Sequence, residues 1–522
     1  MGLNVVTNYA TNAEQEREHK KLLSYTFYDF KAIVILLTLY IIQGIPMGIH
    51  LSLPLIIYNK VSYSQMGNLS LTAIPLSLKL LWAPIMESLY SRRLGKRKCW
   101  IIPVQLITAC LMLFVSANNR FDRWTGQHGE TVDVTALLVY CTITYILMAT
   151  QDVVVDGWAL NMLRPEMRIH ASTCNAAGQH IGINISYVCL TILSSNQMSR
   201  IINQTKDVIV TGAGEDNVSS HVQAIADRDF GIMSHYIRIF GIVTLAVTVL
   251  VMFIHEVEDA PTLIELQPVT EIGIIDTSPA TRRWNMIKQS YALLIQILKL
   301  EPALLLGKLV LTINLIYSPE EPAELKLLEK GVPKDLLASI TPFIIPLQIV
   351  GPPLITTAIR RSSSADVIYK GLRMRLLVVM SYVGLTYVAG LYYTTMPHSQ
   401  LVTVLFYIPV VVLSILRHIC ELVVCVALVA LFADVSDPSI GGTYMALLNA
   451  LMNVGELVPR LLGFWMIDAL ELYSRGLVDG LLIEGLLCII LGVIVLPIFR
   501  KVLLRIESYG VNEWYVNKFA EA

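Results

Sequence analysis

The sequence predicts an all-α polytopic membrane protein of twelve spanning helices, arranged as two bundles of six. Three observations point there. Of the 522 residues, 55% are apolar and 15% charged, whereas soluble domains sit near about 45–50% and about 25%. Apolar runs of roughly 20 residues recur along the chain, long enough to cross about 30 Å of hydrocarbon. A polar stretch over 255–301 divides six such runs from six more.

The runs fall at 32–57, 66–88, 99–117, 134–158, 171–196 and 232–254 in the first half, numbered here as spans 1 to 6. Spans 7 to 12 fall at 302–318, 335–358, 374–396, 401–432, 441–469 and 477–499. The expected organisation is therefore an N-tail (1–31), a bundle (32–254), a connector (255–301), a second bundle (302–499) and a C-tail (500–522). Within the connector, Trp284, Ile287, Tyr291, Leu294, Ile295 and Leu298 recur at helical spacing, which predicts an amphipathic helix on the membrane surface. No apolar stretch precedes span 1, so that span is expected to act as its own insertion signal.

An even number of spans puts both tails on one side. With the tails cytosolic, the cytosolic stretches hold 24 Lys and Arg against 10 on the opposite side, the distribution that membrane insertion favours. The opposite-side loop over 197–231 carries two glycosylation sequons, at Asn203 and Asn217, which agrees with a lumenal or extracellular face. Net charge is −1, so no global field points to nucleic acid. Seven of the eight cysteines fall inside apolar runs, with no metal-ligand or disulfide spacing.

Polar residues inside the runs are the candidates for chemistry, because ionised groups at membrane depth are costly unless paired or wetted. Asp152 and Asp156 close span 4 and, four apart, share one helix face. They read either as a gate or coupling site, or as a salt bridge to the basic loop 92–98. Lys79 lies too deep in span 2 to snorkel, which leaves a phosphate contact or an internal ion pair. Arg417 and His418 lie mid-span 10, where Arg417 can pair with Glu421 one turn on or face a ligand. Gln43, Asn175, Gln179, Tyr444, Asn449 and Asn453 supply hydrogen-bonding groups, either to a ligand or between helices. Trp158 reads as a stacking surface or an interfacial anchor.

Several strings, taken in order, resemble the acetyl-coenzyme A transporter family, an endoplasmic-reticulum branch of the major facilitator superfamily related to bacterial muropeptide permeases. They are IQGIP from Ile42, SLKLLWAP from Ser77, GKRK from Gly95, QDVVVDGWAL from Gln151 and ASTCN from Ala171, with Gly178 and Gln179. In the second half they are GVPK from Gly331, PLQ from Pro346 and VSDPSIGGTYM from Val435. The resemblance implies import of cytosolic acetyl-CoA into the lumen, in exchange for CoA, by rocking of the two bundles about a central cavity. Acetyl-CoA carries about four negative charges, amides and an adenine, so its site needs cations, donors and a stacking surface. The implied binding set is Lys79, Gln43, Asn175, Gln179, Arg417, His418, Tyr444, Asn449 and Asn453. Glu87, Arg92 and Arg97, in a stretched version of the facilitator signature between spans 2 and 3, join Asp152 and Asp156 as the implied gate.

The implied partners are the lipid bilayer and a small-molecule substrate, with no cofactor and no metal. The chain departs from the family at Glu456 and Val458, in span 10, and in a shortened loop before span 12. Two alternatives stand beside this reading: a carrier of another bulky anionic or amphipathic solute, and a membrane-bound acetyltransferase using His180 or His418 as its base.

Overall fold

The computed structural model of the chain describes residues 3–91, 94–127, 130–163, 169–193, 232–254, 279–395, 400–436, 441–473 and 479–516. Those residues are almost wholly helical, with a lone β-bridge between Ser91 and Gly95. Nine helices among them are long and apolar enough to cross a membrane. Spans 5 (Ile169–Leu193) and 8 (Lys334–Arg361) are also long helices; both carry polar side chains or several prolines along the apolar run.

Span 2 is broken into Tyr63–Ser70, Ile74–Leu78 and Ala83–Ser88, joined by 3-10 turns. Pro75 and Pro84 stand at the starts of the second and third pieces, where a missing N–H costs least. Span 7 is broken likewise, into Glu301–Thr312 and Glu320–Glu329. Its second piece lies beyond the sequence-based end at 318.

Spans 1 and 5 form the closest pair. A Cβ at Gly44 would strike the Gln179 carbonyl, and one at Gly182 would strike the Ile41 carbonyl. Only glycine lets these backbones meet, as in small-residue membrane helix contacts. Their approach sets the polar face of span 5 against spans 1 and 4.

One large cluster of buried apolar residues joins both halves, including Ile49 and Tyr140 of the first with Leu327, Tyr382 and Phe464 of the second. At the end opposite the tails, span 2 meets span 11: the Ser64 N–H donates to Asp468 Oδ2 at 2.7 Å, and Tyr63 stacks on Phe464. The connector helix, Pro279–Lys299, lies under the tail end of span 2, where the Tyr291 hydroxyl donates to the Leu81 carbonyl. Its Trp284 and Ile295 stay exposed and Lys288 sits over the Trp284 ring, as befits a helix lying in the interface.

Candidate functional site

A cavity of about 480 Å³ opens between the halves, within the size range of small-molecule sites. Its first-half wall carries His50, Ser70, Thr72, Tyr145, His180, Asn184 and Tyr187. Its second-half wall carries Glu321, Glu324, Gln348, Arg417, His418, Glu421, Glu456 and Arg460. Across the seam between spans 5 and 8, Asn184 Nδ2 donates to Gln348 Oε1 at 3.4 Å.

Charged residues of the second half are paired in a regular way. Arg375 of span 9 forks onto Glu320, with Nη2 to Oε2 at 2.6 Å and Nε to Oε1 at 2.8 Å. Arg417 of span 10 pairs with Glu324 at 2.8 Å, and Arg460 of span 11 with Glu321 at 2.7 Å. All three acids come from the second piece of span 7. The expected one-turn pair between Arg417 and Glu421 is therefore replaced by a pair across helices. Planar guanidinium groups suit such fork-like bonding. His418 lines the cavity, and its Nδ1 lies 2.8 Å from the Ser414 carbonyl.

The paired aspartates organise a second polar cluster, between the cavity and the tail end. Asp152 Oδ1 accepts from Gln43 Nε2 at 2.8 Å and from Gln179 Nε2 at 2.7 Å, while Oδ2 forms an ion pair with Lys79. Asp156 Oδ1 accepts from the Tyr40 hydroxyl and from Asn175 Nδ2, each at 2.7 Å. Thus Lys79, Gln43, Asn175 and Gln179, expected on the cavity wall, bond the aspartates instead and are absent from the cavity lining. The physical reason is the desolvation cost of two carboxylates, which draws in every nearby donor. Among the described residues Asp152 is met by Lys79 of span 2, not by the basic loop.

Other expected residues fall elsewhere. Arg97 is buried with its guanidinium against Gly157. The side chain of Glu87, Arg92, Asn203 and Asn217 lie outside the described residues. Tyr444 is fully buried in the second-half core, and Asn449 and Asn453 are absent from the cavity lining. Trp158 is 2% exposed and packed among Val154, Ile101 and Leu36; it is a core residue, neither interfacial nor placed to stack on a ligand in the cavity.

Reasoning from the sequence weighed Arg460 only as a weaker candidate, outside any string matched to the family, and missed His50, Glu321 and Glu324. The last two read as loop residues, because their run of polar side chains looked like the end of a span.

Comparison with known proteins agrees with this architecture. An uncharacterised protein of Schizosaccharomyces pombe is 28% identical over 447 residues, covering 85% of this chain and 75% of that protein. An uncharacterised membrane protein of Saccharomyces cerevisiae is 24% identical, covering 93% and 97%. The anhydromuropeptide permease of Escherichia coli K12 is 24% identical over 126 residues, 24% of each chain.

Among solved structures, a bacterial homologue of the human lysosomal transporter Spinster, inward-facing and unoccupied, superimposes with a TM-score of 0.58 at 13% identity, covering 95% of this chain and 99% of that one. A D-xylose–proton symporter gives 0.52 at 12% identity, covering 90% and 97%. These likenesses establish the major facilitator fold. The family described as Acetyl-coenzyme A transporter 1 matches residues 32–476, and the chain, a membrane transporter by fold and sequence, belongs to that acetyl-CoA transporter family.

Proposed function

We propose that the protein carries acetyl-CoA from the cytosol into the endoplasmic-reticulum lumen in exchange for CoA, by alternating access. The observation that carries this reading is the cavity between the halves, with Arg417 and Arg460 on its wall. Each guanidinium already holds a carboxylate. An incoming phosphate offers the same planar, fork-like bonding and replaces that carboxylate without leaving a bare cation. His180, Asn184 and Gln348 stand where amides of the pantetheine arm can bond. The compartment and direction rest on the family resemblance and on the excess of basic residues toward the tail side. In this reading Asp152 and Asp156, tied to spans 1, 2 and 5, hold the tail-side gate.

A second reading, a carrier of a different bulky solute, draws on the four carboxylates of the cavity wall and on the segment shared with the permease. Uptake by reconstituted protein separates the two. Labelled acetyl-CoA is expected to enter, with entry accelerated by trapped CoA. Free acetate is expected to stay out, and a muropeptide transported in preference to acetyl-CoA overturns the proposal. Acetylation of an acceptor by the purified protein alone reinstates the enzyme reading.

A further inference from the structure

Spans 9 (Ser364–Thr395) and 12 (Gly480–Ser508) pack closely in the second bundle; a Cβ at Gly492 would strike Leu376. That contact fixes the spacing of the side chains that follow it toward the tail side. One of them is Tyr369, a half-buried ring of span 9 with two guanidinium groups over it. Arg373, one turn on in the same helix, lies 5.9 Å from the ring centroid, and Arg500 of span 12 lies 5.1 Å from it. Both arginines are exposed, and neither forms a hydrogen bond or ion pair among the described residues. The acids that spans 9 and 12 carry at this end are engaged elsewhere. Asp366 pairs with Lys370 at 2.6 Å, and Glu507 accepts the Ala365 N–H at 2.8 Å.

A second observation places the pair at a defined depth. Arg373 immediately precedes the apolar run of span 9 (374–396), and Arg500 immediately follows that of span 12 (477–499). Both therefore stand where hydrocarbon gives way to headgroups. Toward the membrane interior, Leu377 lies one turn from Arg373 and Val493 two turns from Arg500, and both are exposed. They give acyl chains an apolar surface directly beside the two cations.

We infer that Arg373 and Arg500, set on Tyr369, bind the phosphate of an anionic phospholipid in the tail-side leaflet. A single arginine at this depth is satisfied by water and passing headgroups. Two cations gathered at one ring repel each other, and at an exposed site the attraction of the ring is modest. An anion bridging them removes that repulsion. An arginine held against a ring keeps in-plane N–H donors, which suit phosphate oxygens. A zwitterionic headgroup brings its own cation beside the phosphate, so the pair favours a headgroup of net negative charge. Both helices belong to the second bundle, so the lipid travels with that bundle, and the inference stands whatever the cargo.

The test titrates purified, detergent-solubilised full-length protein with phosphatidylinositol and, separately, with phosphatidylcholine, and reads lipid occupancy by native mass spectrometry. Phosphatidylinositol is expected to bind the tighter. R373Q and R500Q are each expected to weaken its binding about five- to tenfold, the worth of one arginine at an anionic headgroup, and to leave phosphatidylcholine unchanged. R361Q, at the exposed end of span 8, removes the same charge without touching the ring and is expected to change neither. Monodispersity checks folding, and either arginine variant suffices if the other does not fold.

Equal affinity for the two lipids overturns the site, as do variants that bind phosphatidylinositol as the wild type does. An equal loss in R361Q also overturns it, by showing attraction to diffuse surface charge. Displacement of phosphatidylinositol by inorganic phosphate overturns the lipid as occupant in favour of a free anion.

Discussion

Asp152 accepts from a lysine and two carboxamides at once, and each donor comes from a different span. Removing one of them leaves a charge the others cannot fully solvate. Lys79→Met is therefore expected to destabilise the protein by about 2–3 kcal/mol, below the usual cost for a fully buried pair because Lys79 keeps 21% of its side chain accessible. Adding Asp152→Asn is expected to restore most of the loss, and thermal unfolding of the purified variants checks both.

The sequence marked these residues well. A charged or amide side chain inside an apolar run stands out against its neighbours. Which side chain it would meet was not legible, because Lys79 and Asp152 are 73 positions apart and spacing along one helix offers only local partners. Arg417 shows the same limit: Glu421 is the neighbour that periodicity supplies, and Glu324, 93 positions away, is the partner that packing supplies.

At the scale of elements, spans 1 and 5 are held together where their glycines face backbone. Gly44→Ala drives a methyl group into the Gln179 carbonyl, so the helices must part. This is expected to cost about 1–3 kcal/mol and to pull Gln43 and Gln179 away from Asp152, lowering both the melting temperature and transport. Gly384→Ala, where a Cβ meets nothing within 4 Å, is the matched control and is expected to leave both unchanged.

Helix positions were legible because apolar length alone fixes a span. The breaks in spans 2 and 7 were less so. Span 7 resumes as a helix at Glu320, and its acids can lie inside the bundle only because three arginines from spans 9, 10 and 11 neutralise them. That compensation belongs to tertiary structure and leaves no mark on local hydropathy.

For the whole molecule, the seam between spans 2 and 11 closes the end opposite the tails, through Ser64 against Asp468 and Tyr63 against Phe464. Alternating access requires that seam to part. Introducing Ser64→Cys with Asp468→Cys and oxidising the pair is expected to stop acetyl-CoA uptake by proteoliposomes, with recovery on reduction. Uptake that survives verified cross-linking excludes motion at this seam.

The second piece of span 7 gives a last consequence. Glu320, Glu321 and Glu324 lie on little more than one helical turn, yet each holds a different neighbouring helix. They act as a three-point clasp on the second bundle. Under the proposed function, a phosphate that displaces Glu324 or Glu321 from its arginine would undo one clasp at the moment cargo arrives. An empty carrier would then stay fastened and a loaded one be loosened, so that crossing without freight would be disfavoured by the same contacts that recognise it.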